Sequence, residues 1–157
     1  MITQTSHNFA VVEQREFIMK GIFDAIYIND EQCQEDALIT LLEVPEIAYQ
    51  HLSEYIIPIG EMTHNLLQSD KYKMMNYMFE FWTNLAIQEG KNNMSGNSLN
   101  FFSQFEDSIL SIAFQGLQIT QLDQDDHQLE QSVDDFEMTV SRTCAHLLNN
   151  IAPILGP

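Results

Sequence analysis

Glu61 and His64 stand three residues apart in Glu-Met-Thr-His, a spacing that sets a carboxylate and an imidazole on one face of a helix. Two such pairs, with two further inward Glu residues, build the dimetal centre of a carboxylate bundle. Here the second pair is missing, because no other His has a Glu three positions before it. A metal-carboxylate helical-bundle enzyme centred on Glu61 and His64 is therefore the alternative reading and not the leading one. His7, His51, His127 and His146 have no ligand spacing and read as surface or core histidines. Cys33 and Cys144 are far apart and belong to no Cys-x-x-Cys, so two buried thiols are expected and not a zinc site or disulfide framework. Gly-rich phosphate loops and nucleophile elbows are absent. The expectation is a protein without catalytic residues, cofactor or metal.

The other concentration of chemistry is charge. Residues 120–135 lose all apolar periodicity and carry Asp123, Asp125, Asp126, Glu130, Asp134 and Asp135. This stretch reads as an acidic loop, either a solvated insertion or a surface for a basic partner. Over the whole chain 23 Asp and Glu face 6 Lys and Arg, a formal net charge of -17. Such a field repels phosphate backbones and anionic membranes and favours basic partners, so neither nucleic acid nor membrane is expected as a ligand. The N-terminal residues have no basic start followed by a long apolar run, and no later segment is long enough to span a bilayer. A soluble, intracellular protein is expected.

The elements that must position these groups centre on residues 72–88. Apolar residues recur there at Met75, Met78, Phe79, Trp82, Leu85 and Ala86, the i, i+3, i+4, i+7 series of a helix with one buried stripe. Met74, Tyr77, Phe81 and Ile87 add a second apolar flank. A helix with two such flanks touches neighbours on two sides, as an inner helix of a stacked array must.

Read in order, residues 13–27 form an amphipathic helix with Phe17, Ile18, Gly21, Ile22, Ala25 and Ile26 on two adjacent rows, and Arg15 among the remaining positions. Asn29-Asp30 turns the chain into a second helix over 31–50, where Pro45 removes one backbone donor and predicts a kink or break. A third helix begins near Ser53, which is placed to cap it, and a polar turn at 68–70 leads into the central helix. Residues 90–97 are a run of turn formers and read as a loop. Residues 98–118 carry Phe102, Phe105, Ile109, Ile112 and Ala113 on one face as a fifth helix, and the pattern returns from Phe136 to Ile151 as a sixth. The fold class expected is all-α, an α-solenoid of three antiparallel helix pairs. With 157 residues, 45% of them hydrophobic, the chain fits a single unit over 1–157. Its pairs lie at approximately 9–52, 53–90 and 98–152, and successive starts are about 40 to 45 residues apart, the period of a two-helix repeat.

The Pro-bearing first helix, the Asp in the turn and the basic start of the second helix in the middle pair resemble a HEAT repeat. Glu80-Phe81-Trp82-Thr83-Asn84 resembles the Glu-Phe-Trp-Ser-Asn signature in the middle repeats of the importin-β (karyopherin-β) family. Arg15-Glu16-Phe17-Ile18-Met19 is similar to the Arg-His-Phe-Ile-Met at the head of an outer helix in the same region. Tyr55 and Pro58 fall where that family has a Tyr and a Pro in the next outer helix, and an acidic loop interrupts the third pair as one does in the eighth repeat. These matches keep their order across nearly the whole chain, which would correspond to about repeats six to eight of the receptor.

What the resemblance implies is a non-enzymatic segment of a nuclear transport receptor in cytoplasm, nucleus and nuclear pore complex. Its outer helices would bind Phe-Gly nucleoporins in grooves and assist protein import. Phe17 and Ile18 carry over to the groove-lining Phe-Ile pair, Gln14 stands where the family has a Glu, and Tyr55 belongs to the groove on the other side. Without the resemblance, Phe17 and Ile18 would be read as packing between helices. One Phe ring in an apolar notch gives roughly 1.5 to 3 kcal/mol before entropic losses, suited to weak multivalent contact. The acidic loop would face the small GTPase Ran, or importin-α and basic cargo, within a full-length receptor; Phe136 replaces the family's Trp and Gln residues dilute the acid run. A third reading is an acidic scaffold for basic proteins with no nucleoporin preference.

Overall fold

The computed structural model describes residues 8–69, 71–126 and 140–156. Their regular structure is entirely helical, with no strand among the described residues. After a helical turn at 8–10, the helices among the described residues follow in the order α1 (Val12–Tyr27), α2 (Glu31–Ala48), α3 (Ile56–Leu67), α4 (Tyr72–Ser95), the single turn α5 (Phe101–Gln104), α6 (Glu106–Asp126) and α7 (Val140–Leu155). A 3-10 segment, Tyr49–Glu54, joins α2 to α3.

The helix α4 is the organising element. Its most extensive contacts are with α7 on one side and α2 on the other, while α1 packs on α2, α6 on α7, and α3 against both α4 and α6. The expected stripe is buried throughout: Met75, Met78, Phe79, Trp82, Leu85 and Ala86 are each at most 3% exposed. Of the second flank, Met74 and Phe81 are buried, Tyr77 is half-buried, and Ile87 lies at the surface. Each fully buried large side chain of this set contributes roughly 1.5–3 kcal/mol of transfer free energy. Trp82 also donates its indole N–H to the Thr63 hydroxyl of α3 at 3.0 Å, and that hydroxyl donates to the Ile59 carbonyl at 2.8 Å. Both polar groups are thereby satisfied inside the core.

Several expected boundaries move. Pro45 does not break α2, which continues to Ala48 and gives way there to the 3-10 segment. Asn84 helps to hold that region, its side-chain amide donating to the Leu42 carbonyl at 3.1 Å. Ser53 does not cap α3, because it lies within the 3-10 segment and Tyr55 occupies the N-cap position without a side-chain bond. The expected loop over 90–97 is largely helix: α4 runs to Ser95 and stops where Gly96 adopts φ 74 as a left-handed C-cap. Turn formers at an exposed helix end cost little, so their presence moves the end less than the one residue able to take positive φ.

The fifth helix divides at Phe105 into α5 and α6, and α6 continues to Asp126, so 120–126 of the expected acidic loop are helical. Residues 127–139, with Phe136, lie outside the described residues. Gly116 lets α6 approach α4 and α7: a Cβ there would lie 2.6 Å from Cζ of Phe79 and closer still to Sγ of Cys144. Cys144 is buried as expected, but Cys33 is exposed, since it sits in the solvent-facing first turn of α2.

Candidate functional site

The helix α1 presents the residues singled out for binding. It starts after Val11, an extended residue with no side-chain cap, and Glu13 in its first turn complements the helix dipole. Arg15, Met19, Ile22 and Ile26 form its buried ridge, at i, i+4, i+7 and i+11. The burial of Arg15, at 5% exposure, departs from the expected assignment of α1, whereas Ile22 and Ile26 are buried as expected. Its Nη1 donates to the Phe9 carbonyl at 2.9 Å, Nη2 is 4.0 Å from the Glu54 carboxylate, and Nε is buried without a partner among the described residues. With the ridge rotated onto Arg15, the neighbouring row turns outward.

That row contains Gln14, Phe17 and Ile18. Phe17 is 81% exposed and Ile18 is half-buried. Together with Asn8 and Glu13 they line a groove of 570 Å³ that is open to solvent and mostly apolar. Helical spacing explains the cluster, because Gln14 and Ile18, and Glu13 and Phe17, are four residues apart. Asn8 and Glu13 were not singled out from the sequence, although the i, i+4 relation of Glu13 to Phe17 contained that signal. The groove can hold a planar apolar side chain against Phe17 and Ile18, with the Asn8 and Gln14 carboxamides available to a peptide backbone. Glu13 is its only charged lining group among the described residues, which disfavours an anionic ligand.

Tyr55 is not part of this groove. Its ring packs against Phe23 with centroids 6.3 Å apart, and its hydroxyl is buried with no hydrogen-bond partner among the described residues. The structure therefore brings Gln14, Phe17 and Ile18 together and sets Tyr55 apart, between α1 and the start of α3.

The remaining candidate groups are dispersed. Glu61 and His64 are both exposed on α3, and no group of three or more His, Cys, Asp or Glu is arranged to hold a metal among the described residues. His51 is half-buried and His146 exposed, while His7 and His127 lie outside the described residues. Asp123, Asp125 and Asp126 fall in the last turns of α6, whereas Glu130, Asp134 and Asp135 lie outside the described residues. Among the described residues, no helix is long and apolar enough to cross a membrane.

The titratable groups that the fold perturbs lie outside the groove. Lys73, above all, and Tyr77 hold the Glu35 carboxyl below its ordinary range through bonds of 2.8 and 2.7 Å. Burial raises Glu80 on α4 and pushes the Cys144 thiol up to about 12. No family model matches this chain, and no solved structure matches it.

Proposed function

We propose that this chain is a non-enzymatic binding module, a three-pair HEAT-type α-solenoid segment resembling importin-β, whose α1 groove receives Phe side chains of Phe-Gly nucleoporin repeats. The pairs are α1 with α2, α3 with α4, and α6 with α7. One observation carries the reading: Phe17, 81% exposed within α1, forms an open apolar groove with Ile18 and Gln14. A large aromatic side chain left in water beside an open apolar groove is a feature of interaction surfaces. The groove is open to solvent and has one acidic group among the described residues, which suits brief docking of single rings and gives useful affinity only by multivalency. Nuclear pore passage, and contact with Ran, importin-α or basic cargo through the acids near 120–135, are assigned to a full-length receptor.

The test is an NMR titration of isotope-labelled protein with a Phe-Gly repeat peptide, beside the same peptide with Phe replaced by Ser. Saturable shifts at Gln14, Phe17 and Ile18 that vanish with the Ser peptide, and in a folded Phe17→Ser variant, are the expected result. Absence of Phe-dependent shifts from folded protein would overturn the reading. Binding to basic peptides that fades with added salt would then favour the acidic scaffold, for which the charge of -17 is the supporting observation.

A further inference from the structure

We draw no further inference here: the strongest candidate, the 420 Å³ groove between α1 and α2 lined by Gly21, Ala25, Cys33, Ala37 and Thr40, shares Phe17 and Ile18 with the site already described, and nothing in the structure shows what covers it.

Discussion

The hydroxyl of Tyr49 donates to the carboxylate of Glu89 across 3.2 Å, joining the segment after α2 to the last turns of α4 in a site where Glu89 is 0% exposed. The same carboxylate accepts the backbone N–H groups of Phe101 at 2.8 Å and Phe102 at 3.1 Å, while the Tyr49 oxygen accepts from Leu99 N–H at 2.9 Å. Two side chains thus satisfy three backbone donors where the chain enters α5. Removing Glu89 would leave the donors buried and unpaired.

Glu89→Ala is accordingly expected to cost about 3 kcal/mol, and Tyr49→Phe about 1 kcal/mol. The double variant should lose less than the sum, because the two residues share one network. Urea unfolding of the four proteins measures this. Strict additivity would show that the network does not act as a unit.

Gly116→Ala should destabilise by about 1–3 kcal/mol despite the better helix propensity of Ala, since the added methyl meets Phe79 and Cys144 at once. Combining it with Cys144→Ala removes one of the two obstacles. The pair should therefore be less destabilised than the separate losses predict, as read from thermal melts. If Gly116→Ala alone raised the melting temperature, close approach at this position would be disproved.

Glu35 and Glu80 should give opposite pH dependences. The carboxyl of Glu35 is held low in the folded state, so its contribution is present above the ordinary Glu value of 4.5 and is lost as pH falls through the lower folded value. Glu35→Gln should lower the melting temperature at neutral pH, with the difference closing in acid. Glu80 is raised by burial, so the folded state holds its proton longer and stability falls as pH rises from 4.5 through the folded value. Glu80→Gln should stabilise by about 0.5 kcal/mol at pH 7, the scale of a half-exposed site, and by nothing at pH 3. Melting curves of both variants across this range check the signs.

The two thiols should differ in reactivity. Cys33 is exposed, whereas Cys144 is 0% exposed and pushed up to about 12 by burial. A disulfide reagent should modify one thiol in the folded protein and two after denaturation. The Asp30 side chain, which accepts the Cys33 N–H at 2.8 Å, raises the Cys33 thiol by hydrogen bonding and by its charge. Asp30→Asn keeps a good N-cap and should speed the first reaction. Equal rates for both thiols in folded protein would contradict the packing of α7.

The sequence by itself determined that the chain is helical, and that Met75, Met78, Phe79, Trp82, Leu85 and Ala86 line one buried face of a central helix. Those properties follow from the 3.6-residue period, which each helix carries within itself. Tertiary structure decided which flank of a helix is covered. In α1 the sequence pattern set Phe17 on an apolar row and Arg15 outside it, yet Phe17 faces water while Arg15 is buried with the Phe9 carbonyl and the Glu54 carboxylate beside it. The partners of Glu89 lie 12, 13 and 40 positions away, too far for any local pattern to indicate that a carboxylate would be buried there. Local periodicity describes what a segment can bury; contacts between distant segments select what it does bury, since desolvation depends on the neighbour that arrives.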